Sequence, residues 1–122
     1  MRERVRNLLE QRGIAGDRVE LMGKLPTLAE HLATYGCVDM GLDTFPYNGP
    51  TTTCEALWMG VPVVTLTGNR HAARVGASML SRVGLEDLVA DRPQDYIETA
   101  ARLAADLVGL ARLRADLRSR VA

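Results

Sequence analysis

The sequence predicts an α/β fold: a Rossmann-like parallel sheet in three layers, with helices packed on it. Three observations carry this. Short β-branched runs alternate with segments of helical period along the whole chain. Each run is followed by a turn-rich loop and then a helix start, the pattern of right-handed β-α-β crossovers. The apolar fraction of the 122 residues, 47%, is ample for a core, while the aromatic fraction of 4% makes that core aliphatic.

The elements follow in order. Val5, Leu8, Leu9 and Arg12 fall at helical spacing, and Gly13 and Gly16 stop that helix. Val19–Met22 alternates and reads as a strand. Pro26-Thr27-Leu28-Ala29-Glu30 is a helix start, with Thr27 as cap and Glu30 in the capping-box position. That helix runs to Tyr35. A second strand covers Cys37–Leu42, with Cys37 expected to be buried as a small apolar residue. Asp43–Pro50 is a loop, and Asp43 is expected to cap it. Thr51–Met59 is a helix that Gly60 stops, with Trp58 and Met59 in the core, and Pro62–Leu66 is a third strand. A helix over Ala72–Val83 ends at Gly84, and Leu88–Ala90 is the last strand. Arg92-Pro93 opens a helix through Leu107, and Gly109 marks a bend before a final helix over Leu110–Val121. Arg and Asp between Arg102 and Arg120 form a solvated face.

The chain is expected to be one domain over 1–122, with helices of 92–121 closing it. It opens on a helix where nucleotide-binding sheets open on a strand. Either the architecture is reduced, or further residues precede Met1.

Composition excludes several classes. Lys plus Arg and Asp plus Glu are both 15, so the net charge is zero, which disfavours nucleic acid as a partner. No apolar run approaches the roughly 18 residues of a membrane span. No leader pattern opens the chain. Cys37 and Cys54 make neither a disulfide framework nor a Cys-x-x-Cys metal motif. A soluble protein of a reducing compartment, the cytoplasm, is expected.

The chemistry concentrates after the second expected strand, in Asn48-Gly49-Pro50-Thr51-Thr52-Thr53-Cys54-Glu55. Ligands of open α/β sheets bind beyond the carboxyl ends of the strands. A helix N-terminus offers free N–H groups and partial positive charge to phosphate. Gly49 lets the backbone approach closely, and Thr51, Thr52 and Thr53 each offer a hydroxyl and an amide. Glu55 can accept from ribose hydroxyls. The plain alternative is that Thr51 only caps the helix. Three threonines in a row after Asn-Gly-Pro favour the nucleotide reading. His31, one strand earlier, stacks on a base, donates to phosphate, or is simply a half-buried helix residue. Arg70, His71 and Arg74 either pair with phosphate or solvate a helix face. No nucleophile–base pair stands out.

The block Leu42-Asp43-Thr44-Phe45-Pro46-Tyr47-Asn48-Gly49, then Thr51-Thr52-Thr53 and Glu55 through Thr65, resembles the C-terminal catalytic lobe of the O-linked N-acetylglucosamine transferases. That family includes the plant SPINDLY proteins and bacterial proteins with tetratricopeptide repeats, and a bacterial repeat-containing member is expected. The likeness continues through Gly68, Arg74–Ser78, Gly84-Leu85 and Tyr96, and upstream through Arg18-Val19, Pro26, His31 and Asp39.

The resemblance implies a partial lobe of an inverting, metal-independent GT-B glycosyltransferase, with no cofactor beyond its nucleotide-sugar donor. It implies transfer of N-acetylglucosamine from a UDP donor to a protein Ser or Thr in the full-length parent. His31 would lie over the base, and the backbone of Leu25 to Thr27 would read the base edge. Thr51 and Thr52 would hold the diphosphate, and Glu55 would meet the ribose. The loop residues Asn48 and Gly49, with Thr53, complete the expected set. Pro50 replaces a histidine of the animal enzymes, and Thr34 an arginine. The family's diphosphate lysine and first lobe strands are not in this stretch. A GDP-fucose donor, as in SPINDLY relatives, and a non-catalytic scaffold role are the alternatives. Strand edges left without partners imply a segment that self-associates, rearranges its sheet or is only marginally stable.

Overall fold

The computed structural model describes residues 1–121; residue 122, the last of the expected domain 1–122, lies outside the described residues. Six α-helices and three short strands are found among them. They are α1 (Arg2–Gln11), α2 (Leu28–Ala33), β1 (Gly41–Leu42), α3 (Pro50–Trp58), β2 (Val63–Leu66), α4 (Val75–Arg82), β3 (Val89–Ala90), α5 (Pro93–Ala105) and α6 (Leu107–Val121).

The sheet has the order β1-β2-β3 and is parallel throughout. Gly41 pairs with Val63 and Leu42 with Val64, and Thr65 pairs with Val89 and Leu66 with Ala90. β2 is central, and all four of its residues are buried. That burial explains why the run Val63-Val64-Thr65-Leu66 shows no polar alternation.

The core is aliphatic, as the composition requires. Ala56, Leu57, Val61, Val63, Leu80, Leu85, Leu88 and Leu117 form one cluster. Leu80 and Leu117 are fully buried. Truncating a leucine in such a site to alanine costs about 2–5 kcal/mol. Gly60 turns the chain from α3 into this core at φ +78°, where a Cβ would meet the Arg114 carbonyl at 3.2 Å.

Several expectations are corrected. Val19–Met22 is not a strand: Val19 has extended backbone (φ −124°, ψ 121°), but no strand among the described residues pairs with the segment. Alternation supplies a strand's faces, and only a neighbour supplies its ladder. The expected strand Cys37–Leu42 shrinks to Gly41–Leu42, because Thr34–Cys37 coils into a 3₁₀ turn. Cys37 is exposed rather than buried. Trp58 is 42% exposed instead of lying in the core, and its ring carries the Arg118 guanidinium at 5.2 Å.

The helix expected over Ala72–Val83 is a 3₁₀ turn (His71–Ala73) followed by α4. The last break falls at Asp106, not Gly109. The Asp106 carboxylate accepts the Gly109 N–H at 2.9 Å and so starts α6 three residues early. No helix is long and apolar enough to cross a membrane among the described residues.

Candidate functional site

The site lies at the carboxyl ends of β1 and β2, and a buried carboxylate organises it. Asp43 follows β1 directly. Its Oδ1 accepts the Gly49 N–H at 2.9 Å, and its Oδ2 accepts the Thr65 hydroxyl of β2 at 2.8 Å. Tyr96 of α5 donates its hydroxyl to the Asp43 carbonyl at 3.0 Å. Burial, and secondarily the Asp43 charge, push the Tyr96 phenol up, so it stays a donor. The expected loop-capping role of Asp43 thus extends to the sheet and to α5.

Asn48, a candidate ligand residue, is spent on structure. It is buried, donates its side-chain amide to the Thr44 carbonyl at 2.9 Å, and accepts the Gly76 N–H at 3.0 Å. Its own N–H donates to the Ala72 carbonyl at 2.8 Å. The loop of residues 43–50 is thereby tied to the start of α4. Gly76 makes this approach feasible, since a Cβ there would lie 2.5 Å from both Asp43 Oδ2 and Thr65 Oγ1.

This anchoring aims the N-terminus of α3. Gly49 is the N-cap and Pro50 the first helical residue, and no side chain caps the helix. The reading of Thr51 as a cap is therefore corrected: Pro50 shifts the helix start one residue back. The first helical hydrogen bond runs from Thr53 to Gly49 at 2.9 Å, so the amides of Thr51 and Thr52 precede it. Thr51 and Thr52 are exposed, while Thr53 is 2% exposed and packs inward. Of the three threonines, two are open to solvent at the start of α3.

Glu55, a turn into α3, meets α2. His31 Nε2 lies 2.8 Å from Glu55 Oε2, and the Tyr35 hydroxyl donates to the same oxygen at 3.1 Å. The hydrogen bond to His31, with further help from Tyr35, holds the Glu55 carboxyl below its ordinary range. The His31 and Tyr35 rings meet edge to face, with centroids 5.9 Å apart and planes at 83°. Sequence reasoning placed His31 and Glu55 and passed over Tyr35. Its signal was the spacing: it stands four residues after His31, on the same face of the helix expected through Tyr35, although in the structure it belongs to the 3₁₀ turn Thr34–Cys37.

Leu25, Thr27 and His31 line one open hollow of about 550 Å³, together with Met22, Gly23 and Lys24. The capping box is present as expected: Thr27 Oγ1 accepts the Glu30 N–H at 3.2 Å, and the Thr27 N–H donates to Glu30 at 3.3 Å. Thr27 thus shapes α2 and is exposed, while Leu25 is half-buried. Arg74 donates to the Gly68 carbonyl at 3.1 Å, while Arg70 and His71 are exposed. No group of three or more His, Cys, Asp or Glu side chains that could hold a metal ion occurs among the described residues.

The comparisons with known proteins agree with one another. The family model described as Glycosyl transferase family 41 matches residues 2–122. A protein of Solanum lycopersicum named as a probable UDP-N-acetylglucosamine–peptide N-acetylglucosaminyltransferase SPINDLY is 48% identical over 97% of this chain and 13% of its own length. A UDP-N-acetylglucosamine–peptide N-acetylglucosaminyltransferase of Caenorhabditis elegans is 35% identical over 94% of this chain and 10% of its own length.

Among solved structures, a mutant of the Thermobaculum terrenum O-GlcNAc transferase superposes with a TM-score of 0.92 at 49% identity. It covers 98% of this chain and 23% of that one. The chain therefore spans about an eighth of the SPINDLY relatives it matches, and its parallel α/β fold is that of a piece of a GT-B O-GlcNAc transferase. The chain belongs to glycosyl transferase family 41.

Proposed function

We propose that this chain is the donor-binding part of a glycosyltransferase that moves N-acetylglucosamine from a UDP donor to a protein hydroxyl. The observation that carries this is the convergence of two features. Thr51 and Thr52 stand exposed at the uncapped N-terminus of α3, and Glu55 of the same helix is joined to His31 beside the hollow at Leu25. The names of the relatives supply the sugar and the acceptor class.

The roles follow from the chemistry. A diphosphate at the start of α3 would accept from the Thr51 and Thr52 amides and hydroxyls, in the field of the helix dipole. These fixed donors would stabilise the negative charge that grows on the diphosphate as the sugar departs, without reorganising at that moment. His31 would lie against the base, and Glu55 would accept from the ribose. Substrate sugar and acceptor would need the parts of the protein outside this stretch, so the segment alone is expected to bind weakly and transfer nothing. Inversion without a metal is part of the same proposal.

A scaffold role is the rival from another class. It loses some support and keeps some: Asn48 and Thr53 now have structural employment, but Thr51 and Thr52 have none. Calorimetric titration with UDP, and with GDP in parallel, tests the proposal. Saturable binding selective for UDP is the expected result. GDP preference would move the donor to the fucosyl type. Absence of both in the full-length protein would leave the scaffold role.

A further inference from the structure

We propose that Tyr35 is a positioning residue of the nucleotide site: with His31 it holds Oε2 of Glu55, and so presents Oε1 as the acceptor for a ligand hydroxyl. The inference rests on the donor-site reading above and goes beyond it, since that reading gives Tyr35 no role.

The geometry is specific. Both donors converge on one oxygen: His31 Nε2 at 2.8 Å and the Tyr35 hydroxyl at 3.1 Å end on Glu55 Oε2. No hydrogen bond among the described residues uses Oε1. A carboxylate has lone pairs on both oxygens. Two donors on one of them fix the rotation of the carboxyl plane and leave the other oxygen to an incoming donor. Vicinal hydroxyls of a sugar ring are such donors. The two fixing groups are themselves coupled by the edge-to-face contact of their rings.

Tyr35 suits the task for a second reason. Burial, then the bond to Glu55 and its charge, push the Tyr35 phenol up to about 12, so it keeps its proton throughout the working range. A histidine donates only from the nitrogen its tautomer protonates. Tyr35 is therefore the constant donor of the pair. The length of Glu55 matters as well: an aspartate would withdraw the carboxylate by about 1.5 Å, one bond length, and lose both donors together. Tyr35 also packs against the core cluster, which makes Phe the proper replacement, since it keeps the ring and removes only the hydroxyl.

The test is a double-mutant cycle on the full-length protein, read by calorimetric titration with UDP. Tyr35→Phe is expected to weaken UDP about 5- to 10-fold in the native background and less than about 2-fold in Glu55→Ala. It is also expected to move the acid loss of UDP binding to higher pH. Glu55 would then keep only His31 as a donor, and His31 and Tyr35 are the titratable groups that meet it among the described residues. A ring needed only for packing would leave that pH profile in place.

Equal losses in both backgrounds, or no loss in the native one, would overturn the role of Tyr35. A Glu55→Ala variant that binds UDP as tightly as the native protein would overturn the donor-site reading itself, and the inference with it. The two failures are thus separable.

Discussion

Asn48 and Gly76, 28 residues apart, meet in a buried hydrogen bond: the Gly76 N–H donates to Asn48 Oδ1 at 3.0 Å. This one contact fastens the loop that launches α3 to the start of α4. It converts an exposed turn into a fixed platform for Thr51 and Thr52. Asn48→Ala should leave the Gly76 amide buried without a partner and free the Thr44 carbonyl as well. The expected cost is about 1–3 kcal/mol. Urea unfolding measures it, and a change within experimental error would mean that the loop does not depend on this anchor.

Gly76→Ala should be more severe. The added Cβ would fall 2.5 Å from Asp43 Oδ2 and Thr65 Oγ1, two atoms already bonded to each other. Neither can retreat without breaking that bond. Overpacking of this kind costs about 1–3 kcal/mol or more. Thermal unfolding of the variant should show a clear drop in Tm. Native-like stability would mean that α4 shifts freely, contrary to the anchoring described.

The threonines should separate binding from folding. Thr51→Ala with Thr52→Ala is expected to abolish UDP binding and to change stability by no more than about 0.5 kcal/mol, because both side chains are exposed. Thr53→Ala should do the reverse, since Thr53 is 2% exposed and belongs to the packed face. Titration and unfolding on the same samples decide it. Intact UDP affinity in the double variant would remove the proposed phosphate site.

Stability should respond to pH from both ends of the His31–Glu55–Tyr35 cluster. The Glu55 carboxyl sits below its ordinary 4.5, chiefly through His31. Its contribution is present above that value and is lost as pH falls through the depressed one. The Tyr35 phenol is raised from 10.0 to about 12, so its contribution is whole below 10 and is lost as pH rises toward 12. Unfolding free energies across pH should therefore fall at both extremes. Glu55→Gln should flatten the acid limb, and Tyr35→Phe should reduce the alkaline one. Tyr96, also raised, keeps a share of that alkaline limb.

The segment by itself should associate or be only marginally stable. β1 is an edge of the sheet, Leu42 on it is 57% exposed, and an apolar cleft of about 150 Å³ opens beside it between Tyr35, Val38 and Val63. An unpaired edge with apolar surroundings invites another strand. Light scattering on the 122-residue chain should show species larger than a monomer. A monomer with steep, cooperative unfolding at high denaturant would refute this.

How much was legible beforehand differs by element. The Thr27–Glu30 capping box, the buried run of β2 and the start of α3 at Gly49-Pro50 are local: side chain and backbone a few residues apart decide them. So the sequence by itself determined the α/β class, the aliphatic core, the family block and the pairing of Thr51 and Thr52 with a helix N-terminus.

Only the tertiary structure decided which polar residues stay exposed and which are consumed inside. Asn48 and Thr53 look as available in the sequence as Thr51 does, yet the Gly76 amide claims one and the core the other. Val19–Met22 alternates like a strand and finds no ladder among the described residues. Tyr35 became visible only when α2, the 3₁₀ turn after it and α3 brought two side chains to one oxygen of Glu55. The physical reason is common to all of these. Propensity and capping act over one or two turns of chain, whereas hydrogen-bond satisfaction and strand pairing depend on partners that only folding brings near.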